Sequence, residues 1–231
     1  MSRGDEKMKI TYLGQAGLLF ESEQAKVMID PYLSDSVGKI NPNKKRRLPI
    51  DESFFDIHPD VMIFTHDHLD HYDPESAHRF LLKDKKITVL SPESVYLKVR
   101  ELGSSHNYVL FDRGTEWSEF GLLFKSVKAE HSDRHAIGVI IDDGNKKYYV
   151  TGDTLYNEGI FADIKEKTDV VFLPINGEGN NMNMTDAKRF CERIGAKTAV
   201  PLHTGLFDSL NPKNFAFENK VIPEIYKEIK L

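Results

Sequence analysis

The segment His66-Asp67-His68-Leu69-Asp70-His71 offers four metal-capable side chains within six residues, in a chain that has only 9 histidines. In extended backbone, residues two apart point the same way, so His66 and His68 can grip one ion together. A turn after them would direct Asp70 and His71 at a second ion. Imidazole and carboxylate donors suit zinc and other first-row divalent metals.

Further candidate ligands fall where apolar runs end. Val127, Ala129 and His131 alternate along one face, so His131 extends an inward row, with His135 a rival. Asp153 follows the run Tyr148–Val150 within Thr151-Gly152-Asp153-Thr154. Gly152 permits close backbone approach, and each oxygen of the Asp153 carboxylate can bind one ion. His203 follows Ala199–Leu202. His58, His78 and His106 lack such placement and read as surface or packing residues. Asp30, before Pro31, reads either as a partner fixing a histidine tautomer or backbone turn, or as a plain turn residue.

These positions require strands that end at one rim. Short apolar runs occur at Lys9–Leu13, Leu18–Glu21, Lys26–Ile29, Val61–Phe64 and Ile87–Leu90, separated by turn residues such as Gly14 and Gly17. Further strands are expected near Tyr108–Phe111, Leu122–Ala129, Ala136–Ile141, Lys147–Val150, Asp169–Ile175 and Lys197–Val200. Asp143-Gly144 is a hairpin signal. Helices are expected from Pro74 to Leu82, from Pro92 to Leu102, from a Thr185 cap to Ile194, and over Val221–Ile229. Cys191 lies on the apolar face of the third helix and reads as core. Ser34 to Pro59 reads as a long polar loop of the functional or mobile kind.

The 231 residues suit a single domain spanning 1–231, and 40% hydrophobic content with 14 Phe and 9 Tyr supplies a core. No apolar run reaches the roughly 18–20 residues of a membrane span. The polar start Met1–Lys7 and the single cysteine point to the cytoplasm. A net charge of −5 argues against nucleic acid as a partner. The basic run Lys44-Lys45-Arg46-Arg47 is either a solvated loop or an arm that attracts an anionic small-molecule substrate.

The set His66-x-His68-x-Asp70-His71, His131, Asp153 and His203 resembles the metallo-β-lactamase superfamily over nearly the whole chain. Asp30 looks like that superfamily's early buried aspartate. Thr65-His66-Asp67-His68, Thr151-Gly152-Asp153-Thr154-Leu155-Tyr156, Asn180-Asn181-Met182 and Pro201-Leu202-His203 with Phe207 resemble its L-ascorbate-6-phosphate lactonase-like branch. The resemblance implies an α/β fold, a four-layer αββα sandwich of two mixed sheets flanked by helices, with the site at one edge. It implies a first metal held by His66, His68 and His131, and a second by Asp70, His71 and His203, with Asp153 between. Zinc, manganese and iron all fit, and related lactonases form oligomers.

Two ions sharing a water would lower its pKa toward about 7. Asp70 and Asp153 would act catalytically by orienting it, and Asp70 could carry its proton. Asn181, Arg134 and Tyr156 lie near these ligands in sequence and are candidate substrate contacts. The leading reading is hydrolysis of a small ester-like compound, a lactone or phosphorylated sugar derivative. The alternatives are phosphodiester or RNA cleavage, redox chemistry at a di-iron site, and non-catalytic metal binding. By the resemblance, the superfamily's di-iron oxidoreductases carry Glu where this chain has His68.

Overall fold

A computed structural model describes residues 8–103 and 105–231. The reading of Met1–Lys7 lies outside the described residues. Two six-stranded sheets face each other. The first holds β1 (Lys9–Gly14), β2 (Gly17–Glu21), β3 (Lys26–Ile29), β4 (Val61–Ile63), β5 (Thr88–Ser91) and β6 (Asn107–Leu110), paired in chain order. The second holds β7 (Glu116–Glu119), β8 (Leu122–Lys128), β9 (Ile137–Asp142), β10 (Lys147–Val150), β11 (Val170–Pro174) and β12 (Thr198–Leu202), likewise neighbours in order. Each sheet is antiparallel where hairpins connect its strands and parallel where longer crossovers do.

Period-two burial builds the layers. In β4, Val61 and Ile63 face the other sheet, while Met62 faces outward. In β11, Val170 and Phe172 point inward, and Val171 and Leu173 point outward. Both faces are covered, which is why these strands read as unbroken apolar runs. The outer face of the first sheet packs on α2 (Pro74–Leu81) and α3 (Glu93–Arg100), through Ala77, Phe80, Val95 and Val99. That of the second packs on α4 (Met184–Ile194), through Ala187, Phe190, Cys191 and Ile194. The result is the expected αββα sandwich of the metallo-β-lactamase fold. Cys191 is fully buried.

Three expectations need correction. Val221–Ile229 is not helical: Pro223 lacks an N–H, and the open edge of β1 offers unpaired backbone groups. The tail runs along that edge, with Tyr226 N donating to Tyr12 O at 2.7 Å, Tyr12 N to Lys227 O at 3.1 Å and Ile229 N to Ile10 O at 2.7 Å. The cap of α4 is Asn183, not Thr185; its side chain accepts from Thr185 N and Asp186 N. The Ser34–Pro59 segment contains a one-turn helix, α1 (Ser36–Ile40), and 3₁₀ turns at Pro42–Lys44 and Glu52–Asp56. Phe54 and Phe55 anchor it in the outer core of the first sheet. β7, whose sequence Glu-Trp-Ser-Glu is mostly polar, was also not expected. It is an edge strand on β8. Among the described residues no helix is long and apolar enough to cross a membrane.

Candidate metal centre

The ends of β1, β3, β4, β8, β10 and β12 meet at one rim of the sandwich. β4 leaves its sheet at Phe64, and Thr65 O then accepts from Ile137 N of the opposite sheet at 3.0 Å. Gly152 sits against this stitch with φ +61, and a Cβ there would lie 2.8 Å from Ile137 O. Only glycine lets the Asp153 turn approach this closely. The turn expected after His68 is present: His71 N and Tyr72 N donate to His68 O at 2.9 and 2.8 Å.

Seven residues named from sequence come together. Ligand atoms of His66, His68 and His131 lie within 4.8 Å of one another, as do those of His66, His71 and Asp153, and those of Asp70, His71 and His203. Each group could hold a metal ion. Three buried atoms test the fit: His66 Nε2, His71 Nε2 and Asp153 Oδ1 have no hydrogen-bond partner. Stranding three polar atoms in one dry spot is costly unless something of opposite character binds them. A cation answers all three. His135 is not in any of these groups; its backbone N–H donates to Asp133 Oδ1 at 2.8 Å.

Outer partners fix the rings. Asp30 is fully buried with φ +43. Its Oδ2 accepts from His71 Nδ1 at 2.8 Å and from Thr65 Oγ1 at 2.6 Å, and its Oδ1 accepts from Thr65 N at 2.8 Å. This leaves His71 Nε2 free to face Asp153 Oδ1 at 3.3 Å. Gln15, which sequence reasoning missed, donates from Nε2 to Asp70 Oδ2 at 2.8 Å and lies 3.0 Å from His203 Nδ1. Asn176 Nδ2 lies 3.1 Å from the same nitrogen. Asp133, also missed, accepts from Asp67 N at 3.0 Å and Ser94 Oγ at 2.6 Å, holding the histidine segment onto α3. The only sequence sign of Gln15 was its place in the Gly14–Gly17 turn.

The charges divide the centre. Burial opposes the charged form of His71, but Asp153 and Asp30 outweigh it and push its pKa well up. Burial opposes the charge on His203 too, yet Asp153 and Asp70 raise its pKa to about 9. Burial would raise both carboxylates, but His203 and His71 hold Asp70 and Asp153 far below the usual range. His66 moves the other way, pushed well down by burial and by His71. His131 is also lowered, chiefly by burial.

The substrate contacts named from sequence separate. Asn181 lines the cleft beside the centre, and its Nδ2 donates to Asp153 Oδ2 at 2.8 Å. Tyr156 and Arg134 do not line it, which corrects that expectation. Tyr156 packs on Phe161 and Phe190 under α4, and its hydroxyl donates to Glu158 at 2.8 Å. Arg134 is exposed and donates to His135 Nε2 at 3.0 Å. Nearness in sequence to a turn does not say which way the turn sends each side chain.

The cleft measures about 450 Å³ and is lined by Gln15, His68, Asp70, Asp153, Asn181 and His203, among others. The model of a beta-lactamase superfamily domain matches residues 9–203, which span every residue of the centre. The chain belongs to this superfamily. Among curated relatives it is 28% identical to a UPF0173 protein of Pyrococcus furiosus, covering 91% of this chain and 90% of the relative. It is 29% identical to a UPF0173 metal-dependent hydrolase of Alkaliphilus metalliredigens, covering 93% of each. Among solved structures, the metallo hydrolase Igni18 of Ignicoccus hospitalis superposes with a TM-score of 0.76 at 20% identity over 96% of this chain and 97% of that one. An isothiocyanate hydrolase from Delia radicum gut bacteria gives 0.76 at 21% over 97% and 99%. CmlA, a diiron beta-hydroxylase from Streptomyces venezuelae, gives 0.75 at 16% over 98% of this chain and 54% of its own. The same fold thus carries both hydrolysis and oxygen chemistry, so activity must be argued from the site.

Proposed function

We propose that this chain is a metal-dependent hydrolase that uses two divalent cations on a small ester-like substrate, a lactone or a phosphorylated sugar derivative. The observation that carries the reading is the convergence of three stranded buried ligand atoms, two histidine nitrogens and an oxygen of Asp153, with further ligands on both sides. His66, His68 and His131 would hold one ion, and Asp70, His71 and His203 the other, with Asp153 between them. Zinc, manganese or iron would suit this donor set. Bound there, two such ions would activate a shared water and polarise the scissile carbonyl or phosphoryl oxygen.

The chain's own residues do the rest. Asp70, its side chain 19% exposed, reaches the cleft while Gln15 holds one of its oxygens. It stays ionised and can orient an attacking water by accepting a hydrogen bond from it. Asn181 holds Asp153 through Oδ2, which keeps Oδ1 turned toward His71. Asp30 keeps His71 in the tautomer that presents Nε2. The cleft suits a small molecule in size. Among the described residues its lining contains acidic residues and a single lysine with no arginine, a poor track for a nucleic-acid backbone.

The test has two stages. Metal analysis of protein purified without chelator should find up to two transition-metal ions per chain, and less than about half an ion would sink the proposal. The metal-loaded protein should then turn over lactones in a panel that also holds phosphodiesters and thioesters. Preference for a phosphodiester would move it to the nuclease-like class, and silence across the panel would favour a metal-binding role without catalysis.

A further inference from the structure

The basic run Lys44–Arg47 is divided by the fold. Arg46 turns inward, donating to Tyr32 O at 3.0 Å and to Tyr226 Oη at 2.5 Å, with its guanidinium over the Tyr32 ring. Arg47 donates to Asp208 O, and its backbone N–H donates to Leu206 O at 2.9 Å. These two residues fasten the segment to the loop after β12. Lys45 is exposed and does not line the cleft. Lys44 does, and it is the one lysine or arginine among the described lining residues.

Its ammonium meets Glu178 Oε2 at 2.9 Å, the two side chains being 43% and 71% exposed. Lys44 comes from the β3–β4 connection and Glu178 from the β11–α4 connection, so the pair bridges the two sides of the cleft. Ion pairs this exposed contribute little to stability, so a competing anion can replace one partner at small cost. The pair lies in the same cleft as Asp70 and Asp153 and offers an incoming anionic group the ammonium of Lys44. Nearby, Asn176 and Asn181 each keep a buried amide oxygen with no partner. Both oxygens are sealed from solvent, so they belong to the frame of the site rather than to a substrate contact.

We propose that Lys44 is the specificity residue of the cleft, recognising the carboxylate or phosphate of the substrate, with Glu178 as the internal anion that such a group displaces. The inference rests on the hydrolase reading for its substrate class, but its recognition step can be measured without turnover. A substrate would then carry its anionic group at one end and its scissile ester at the other, reaching Lys44 and the metal centre together.

The experiment uses metal-loaded protein and a matched pair, glucono-δ-lactone and its 6-phosphate, with calorimetric binding of gluconate and 6-phosphogluconate alongside. The kcat/KM ratio of phosphorylated to neutral lactone should fall about tenfold in Lys44→Gln, through KM. It should rise in Glu178→Gln, where Lys44 is unmasked, and stay unchanged in Lys45→Gln. The two acids should show the same order in binding. Equal effects of Lys44→Gln and Lys45→Gln would overturn the proposal, as would a wild-type protein that does not discriminate within either pair. If neither lactone turns over, this lactone class is excluded, and the wider panel decides the hydrolase reading. Binding then decides the recognition step alone: Lys44→Gln must lose the preference for 6-phosphogluconate, or that step fails too.

Discussion

Around Asp153, the His71–His203 side of the centre is held more tightly than the His68–His131 side. His71 and Asp30 are fully buried, and Asp30, Gln15 and Asn176 brace the rings of His71 and His203. His68 and His131 are only partly buried and lean mainly on each other, at 3.1 Å, with Ser132 Oγ and Asn180 O nearby. The carboxylates gather on the first side. Protons therefore compete with metal for His71 and His203, whereas His66 and His131 stay neutral and ready to ligate. One half is braced from outside the centre, and the other is more open to the cleft.

The largest expected effect would erase this contrast. Asp153→Ala removes the carboxylate common to both sides, and both ions should be lost on metal analysis. Activity should fall by more than the roughly 10–100-fold that an outer partner commands. Retention of two ions would remove Asp153 from the bridging role.

Asp30→Asn should act on one side only. Metal affinity there should weaken by about 10–100-fold, seen as loss of one ion in a competition titration with chelator, while the other ion stays. Asp30→Ala should also destabilise the fold by about 1–3 kcal/mol, because the buried Thr65 N–H loses its acceptor. Equal weakening of both ions by Asp30→Asn would break the comparison.

Acidity should reproduce part of that asymmetry without mutation. His203 titrates near 9 in the metal-free fold against an ordinary 6.5. Between pH 9 and 6.5 the protonated ring should release the ion on its own side first, read by dialysis at the two values. For stability the sign is opposite. The raised His203 stabilises the metal-free fold fully below about pH 6.5, and this is lost as pH rises through about 9. The lowered Asp70 and Asp153 add stability above the ordinary carboxylate value of 3.8 that is lost on acidification. Metal-free protein should therefore have a higher Tm at pH 6.5 than at pH 9.5, and metal should shrink the difference.

Gln15→Asn should have the smallest effect. Asparagine tolerates the left-handed backbone at φ 55 but is one methylene too short to reach Asp70. Turnover should drop by about tenfold, the low end of the range for such a partner, with both ions kept. A loss as large as that of Asp153→Ala would make Gln15 part of the centre rather than a brace.

The amino-acid sequence by itself determined the layers and the candidate ligand residues. The alternation of side chains between the two faces of β4 and β11 is a local property of strands, and His66, His68, His131, Asp153 and His203 each stand where such a run stops, so their convergence needed only that the strands end at one rim. Tertiary structure decided what lies between and around them. That Asp30 braces His71, and Gln15 braces Asp70, depends on contacts across 41 and 55 residues, which no local pattern encodes. The tail past Pro223 has helix-compatible spacing, but the open edge of β1 recruits it. Tyr156 faces a helix rather than the cleft, and of four adjacent cations only Lys44 enters the cleft. Side-chain direction in loops is set by the partners they meet, and those partners come from other parts of the chain.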